Sequence, residues 1–269
     1  MNLVLLDNPA TQQVLAATTP AATHLRNVLK VQAGATFWCG VKNGARGVAT
    51  VESVSPAGDI AFRVDWESAV AATTQLPPVS LLVGLPRPQT AKKVIALASE
   101  IGCATIAFFV SDNGDPAYAK SLLWHDGGAE IDAILKKSAE QACATFLPRV
   151  TLFDNLRAAM QSIVATDNKA KIFALDAYEN DAKALPDVEF VVATTTNVVL
   201  AVGSERGWSA TEREILRTTD NCEFARLGPR ILRVENAVAV ALSVALAKLG
   251  FLRQTHTPLT RRPTTNPPQ

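Results

Sequence analysis

Residues 79–110 read VSLLVGLPRPQTAKKVIALASEIGCATIAFFV, and the hydrophobic period changes twice within them. VSLLVGL is an unbroken apolar run, the pattern of a strand buried on both faces. QTAKKVIALASEIG then switches to helical spacing, with Gly102 as its stop. ATIAFFV returns to a buried strand. Strand, helix and strand in immediate succession make a crossover between parallel neighbours rather than a hairpin. The stretch predicts an α/β domain whose mostly parallel sheet carries helices on both faces.

The same alternation continues downstream. GAEIDAILKKSAEQACA reads as a helix, and KIFALD and NVVLAVG as strands. SATEREILRTT is a helix opened by Ser209, with Glu212 three residues on, a capping box. CEFARL is a short strand, and a last helix runs from about Arg233 to Leu249.

Upstream the texture differs. ATFWCGV, GVATVESV and DIAFRVDW are short runs rich in Val, Phe and Trp, broken by the turn sequences KNGARG and SPAGD. They predict a small antiparallel barrel. One early helix is expected in TPAATHLRNVLKV, with Leu25, Val28 and Leu29 on one face. ESAVAATTQLPP reads as a linker, and QTHTPLTRRPTTNPPQ as a disordered tail. The expected organisation is a β-barrel domain over 1–70, a linker over 71–78, an α/β domain over 79–253 and a tail over 254–269.

Bulk composition narrows the partners. A hydrophobic share of 48% against 19% charged residues fits a folded protein. A net charge of +1 gives no global pull toward nucleic acid, so any RNA contact must come from a local patch. Cys39, Cys103, Cys143 and Cys222 are scattered and form no CxxC pair, which speaks against zinc and for a reducing cytosol. No apolar segment approaches the ~18 residues of a membrane span, and MNLVLLDNPA is too short and too poor in basic residues for a signal peptide. The expectation is a soluble cytoplasmic protein with no metal and no membrane.

Familiar phosphate and nucleophile motifs are absent. There is no GxxxxGK[ST], no GxGxxG after a strand and no GxSxG. His24, His125 and His256 have no partner at metal-ligand spacing. Two glycine-bearing loops stand out instead: AVGSERGWS, containing Gly203 and Gly207, and RLGPRILRVENA, containing Gly228-Pro229 and three arginines. Both follow strands near the C-terminus, and open α/β sheets bind ligands beyond the carboxyl ends of strands. Glycine lets backbone approach a planar ligand closely. Ordinary strand-to-helix turns explain the two loops equally well on spacing alone.

GSERGWSATERE resembles the GPEGGFSxxE loop, and LGPRILRVENA the LGxRILRxETA loop, of the 16S ribosomal RNA uridine-N3 methyltransferases. These are the small-subunit methyltransferase E family of the SPOUT class. SAEQACATFLP resembles that family's AEQxxRxxLP segment, ALASEIGC its KATELGV segment, and HLRNVLKVQAG its HHxRNVLRxxxG segment. The five segments keep the family's order across residues 3–253. Departures are Ser204, Arg206, Val234 and Asn236 within the loops, and Leu97 and Ala144 where the family has cations.

The resemblance implies a PUA-like, RNA-docking barrel followed by a trefoil-knotted α/β methyltransferase domain. It implies S-adenosylmethionine as cofactor, a homodimer, and methylation of uridine N3 in small-subunit ribosomal RNA. Carried over by position, the cofactor loops are Leu200, Val202, Gly203, Glu205 and Gly207, and Leu227, Gly228, Arg230, Ile231 and Leu232. Leu175 would contact the adenine. Arg230 and Arg233 are candidates for stabilising a uridine anion, and Glu205 or Glu235 for accepting the N3 proton. His24, Arg26, Lys30, Arg87, Glu140 and Gln141 are the candidate RNA contacts. Arg226 is expected at a solvated strand end, and Trp208 in the core. A non-catalytic RNA-binding protein of ribosome assembly, or an enzyme acting on another RNA uridine, stands as the alternative.

Overall fold

The computed structural model describes residues 2–67, 76–190 and 197–253. The expected tail, and residues 71–75 of the expected linker, lie outside the described residues. Of the described residues, 2–67 and 136–147 form one compact unit, and 76–135, 148–190 and 197–253 a second.

The first unit holds β1 (Val4–Leu6), β2 (Gln12–Leu15), α1 (Pro20–Asn27), β3 (Thr36–Val41), β4 (Arg46–Val54) and β5 (Ile60–Trp66). They form one sheet in the order β1-β3-β4-β5-β2. It is antiparallel except for the parallel pair β1/β3. The alternation in β4 and β5 puts Ala49, Val51, Ile60, Phe62 and Val64 into the core. There the rings of Phe37 and Phe62 stand 5.3 Å apart. Asn43 (φ 55°) and Gly58 (φ 95°) take left-handed backbone in the two expected turns. Thr19 caps α1 by accepting from the Ala22 N–H. The helix stops at Asn27, so Val28, expected on the apolar face, is 64% exposed. Residues 136–147 complete this unit: the Asn2 and Leu3 N–H groups donate to the Glu140 carbonyl, each at 3.0 Å. Leu3, Leu5, Ala139 and Cys143 close a small apolar cluster there.

The second unit begins with β6 (Val79–Gly84), α2 (Pro88–Ile101), β7 (Thr105–Phe109), α3 (Leu122–His125) and α4 (Ala129–Ala142), whose residues from 136 on count with the first unit. It continues with β8 (Arg149–Phe153), α5 (Leu156–Thr166), β9 (Lys171–Leu175), β10 (Lys183–Ala184), β11 (Val198–Val202), α6 (Ala210–Arg217), β12 (Cys222–Arg226) and α7 (Val234–Lys248). Among the described residues seven strands form a sheet in the order β10-β12-β9-β11-β6-β7-β8. Every pair is parallel, as the opening stretch predicts. β6 and β11, at the centre, are buried at every residue, which is why they read as continuous apolar runs.

Successive strand residues alternate between two helical layers. Leu82, Ala107, Ile172, Ala174, Val199 and Ala201 pack with Leu156 and Met160 of α5 and Leu216 of α6. On the other face α7 lies against α2, β6 and β11. Gly102, with φ 103°, ends α2 as expected. β9, β11 and β12 are neighbours, so their carboxyl ends stand side by side. That is where the site forms.

Candidate functional site

A cavity of about 830 Å³ opens beyond these strand ends. Four segments of the second unit line it: residues 175–178 after β9, 202–208 after β11, 227–235 between β12 and α7, and the first turns of α2. Its size is that of a cofactor or nucleotide pocket.

The 202–208 loop is a tight turn. The Gly207 N–H donates to the Ser204 carbonyl at 2.9 Å, and Gly207 sits at φ 69°. The loop lies directly over β6: a Cβ on Gly84 would come within 2.6 Å of the Ser204 backbone nitrogen. Gly84 is therefore glycine for want of space. Gly228 is glycine for its backbone angle, φ 103°, with nothing within 4 Å of where a Cβ would stand. The two glycine loops are thus positioned by different constraints.

Trp208 anchors the loop to β9. Its indole N–H donates to the Leu175 carbonyl at 3.0 Å, and its ring stacks on Phe109 at 5.9 Å, consistent with the expected core role. Arg213 of α6 ties the same two segments. Its Nε donates to buried Asp176 at 2.7 Å, and an Nη donates to the Trp208 carbonyl at 2.8 Å. The other Asp176 oxygen accepts from the Tyr178 N–H at 2.9 Å. At the far end of the loop, the capping box is present, and Glu212 also accepts from the Asp112 N–H at 3.0 Å. Among the described residues no buried side-chain nitrogen or oxygen of this loop lacks a partner, which helps to fix its shape.

Charges ring the cavity. Glu205 accepts from the Arg87 N–H at 2.9 Å, and the Arg87 Nε lies 3.7 Å from the same oxygen. Glu235, in the first turn of α7, stands 3.6 Å from Lys93. Arg206, Arg230 and Arg233 are exposed, and among the described residues no carboxylate pairs with them. Among the described residues no three His, Cys, Asp or Glu side chains are placed to hold a metal ion, and no helix is long and apolar enough to cross a membrane.

The structure brings most of the sequence-derived candidates together. Leu175, Val202, Gly203, Glu205, Gly207, Leu227, Gly228, Arg230, Ile231 and Leu232 all line the cavity, with Arg233 and Arg87. Leu200 does not: it is wholly buried within β11 and sits between two residues that face α5 and α6. Its alternation turns it to the opposite face of the sheet. Arg226 is not simply solvated, since its Nε donates to the Ala182 carbonyl at 2.8 Å.

The remaining candidates lie in the first unit. The Arg26 guanidinium is turned inward and donates to the Ala17 carbonyl at 3.0 Å. His24 has its pKa lowered, chiefly by burial. Lys30 is exposed at φ 51°. Glu140 is buried and accepts from the Leu5 N–H at 3.3 Å; desolvation raises its pKa. The Gln141 carbonyl accepts from the Asn2 side chain at 2.8 Å.

Lys93, a candidate phosphate contact on sequence grounds, stands on the cavity wall, and sequence reasoning missed Asp176 and Tyr178 there. Asp176 and Tyr178 carried no signal beyond their place at a strand end.

Comparison with known proteins gives one concordant result. Residues 74–246 match the family model described as an RNA methyltransferase domain. The ribosomal RNA small subunit methyltransferase E of Treponema pallidum is 28% identical over 254 residues, covering 92% of this chain and 91% of that protein. Borreliella burgdorferi has a ribosomal RNA small subunit methyltransferase E 1 that is 25% identical, covering 93% of this chain and 99% of its own length. Two solved structures share the fold. One is a ribosomal RNA small subunit methyltransferase E from Neisseria gonorrhoeae bound to S-adenosyl methionine, with TM-score 0.72, 20% identity, and coverage of 92% of this chain and 97% of that one. The other is a methyltransferase from Legionella pneumophila in complex with the same cofactor, with TM-score 0.69, 19% identity, and coverage of 91% and 97%.

Proposed function

The chain belongs to the RNA methyltransferase domain family, and on that premise we propose that it transfers the methyl group of S-adenosylmethionine to N3 of a uridine in small-subunit ribosomal RNA. The observation that carries this reading is the convergence of the 175–178, 202–208 and 227–235 segments on one cavity.

The residues present fit the cofactor. Gly228 and Gly207 leave backbone open at the cavity wall, with no atom within 4 Å of a would-be Cβ, so a flat heterocycle can approach the main chain. Leu175, Val202, Leu227 and Leu232 supply an apolar lining. When bound, the sulfonium supplies an already activated methyl group. The protein's part is then alignment of the acceptor and management of its proton. Arg230 and Arg233, both unpaired among the described residues, stabilise the negative charge that develops on the uridine as N3 loses its proton. The acceptor of that proton is Glu205 or Glu235; the third carboxylate on the cavity wall, Asp176, is taken up by Arg213. Charge-removing variants distinguish them. E205Q or E235Q, whichever removes the base, lowers kcat by about 100-fold or more with cofactor affinity kept.

The working form is proposed to be a cytoplasmic homodimer, testable by sedimentation. For the reaction, small-subunit RNA or subunits are incubated with isotopically labelled cofactor, and the nucleosides are resolved by mass spectrometry. Label in N3-methyluridine is the expected result. Label in another nucleoside removes the assigned position. Cofactor that fails to bind at millimolar concentration leaves the non-catalytic RNA-binding alternative.

A further inference from the structure

The rim of the cavity carries a feature the transfer chemistry does not use. Tyr178 lines the cavity yet is 66% exposed, and Ile231, across from it on the 227–235 segment, is 71% exposed. Two large exposed side chains on the wall of one cavity are placed to meet whatever enters it. Tyr178 is also held firmly. Its N–H is fixed by Asp176, which is 3% exposed at its side chain and paired with Arg213, which in turn holds the Trp208 carbonyl. The ring therefore projects from a pinned backbone rather than from a loose loop. Arg206, which the transfer step leaves unassigned, shares the same rim, is exposed and makes no ion pair among the described residues. An exposed aromatic ring on the same rim as an unpaired guanidinium matches unpaired RNA: a phosphate for Arg206 and a base face for the ring.

Resting on the reading of the cavity as a methyltransferase site, we propose that the Tyr178 ring is the stacking platform for an unpaired base of the RNA substrate, so that the protein takes its uridine from a single-stranded or extruded segment. A base paired within a helix shows the rim only its edge and offers no face to the ring.

The test uses the full chain with Y178F and Y178A. Affinity for a short uridine-containing oligonucleotide is measured single-stranded and as a perfect duplex, and cofactor affinity is measured separately by calorimetry. Y178A is expected to weaken single-strand binding by about 10-fold or more, the usual loss of one base–aromatic stack. Y178F should stay within about 3-fold of the wild type, since the phenyl face is retained. Duplex and cofactor affinities should be unchanged, the latter also showing that the variant is folded. Single-strand affinity unaltered in Y178A overturns the proposal, as does loss of cofactor affinity with RNA binding intact, which would give the ring to the cofactor. Failure of the wild type to bind cofactor or transfer methyl counts against the function proposed above. The Tyr178 effect on oligonucleotide affinity is read independently of that outcome.

Discussion

Gly84 and Gly228 show at the scale of single residues why the site holds its shape. Alanine at 84 would drive a methyl group against the Ser204 main chain at 2.6 Å, and backbone cannot step aside as a flexible side chain can. Alanine at 228 meets no atom and bears only the strain of φ 103°, about 1–2 kcal/mol. G84A should therefore displace the 202–208 loop and lower cofactor affinity at least about 10-fold, with a clear fall in Tm. G228A should lower Tm by only a few degrees. Calorimetry and thermal unfolding of both variants check the ordering. The sequence made these two glycines unequally legible. Gly228 announced itself through the rigid Gly-Pro pair, whereas Gly84 passed as one more residue of the run VSLLVGL, because the loop that presses on it lies far along the chain. Tyr178 and Asp176 were illegible for a similar reason: their meaning comes from Arg213, which only the fold brings near.

Among the elements, α6 was the most readable and also does the most to shape the site. Ser209 and Glu212 fix its start locally, so the capping box could be seen without any tertiary information. What could not be seen is that Arg213, one residue further, reaches across to β9. R213M removes the partner of a carboxylate that is 3% exposed at its side chain, and should cost about 3 kcal/mol of stability. Cofactor affinity should fall with it, since Trp208 and Asp176 lose their shared brace. Denaturant titration and calorimetry measure the two losses. β8 and α5 escaped the pattern reading. β8 is an edge strand, exposed at its first residue and half-buried at the rest, so it lacks the apolar run that marks β6 and β11. The end of α1 escaped too, because nothing in NVLK forbids another turn.

Over the whole molecule, charge is nearly balanced at +1, so the RNA affinity proposed above has to come from local cations. If Arg206 is the one phosphate contact of the rim, it adds about −0.7 to the slope of log affinity against log salt on a single strand. A slope unchanged by R206A would take Arg206 out of the contact. The cysteines predict a second dependence. Burial pushes the thiols of Cys39, Cys103 and Cys222 up to about 12, from an ordinary value of 9.0. Between these values the unfolded chain gives up protons that the folded chain keeps. Stability should then fall as pH rises above about 9, by up to about 1.4 kcal/mol per pH unit for each thiol. Denaturant midpoints from pH 8 to 11 measure the slope. At this scale the parallel class of the sheet was legible from a single β-α-β stretch. The order of its strands was not, because no local pattern says that β11 lies between β9 and β6.

That order has a kinetic meaning. β11 pairs with β6 on one edge, joining positions 198 and 79, and with β9 on the other, while β12 pairs with the far edge of β9. Pairings so distant in sequence close slowly, because the loop entropy is lost before the contacts form. On this topology the loops after β9, β11 and β12 are expected to come into register late in folding. A ligand that needs all three has little to hold in the transition state. It should prolong the life of the native protein by retarding unfolding, while leaving the rate of refolding almost untouched.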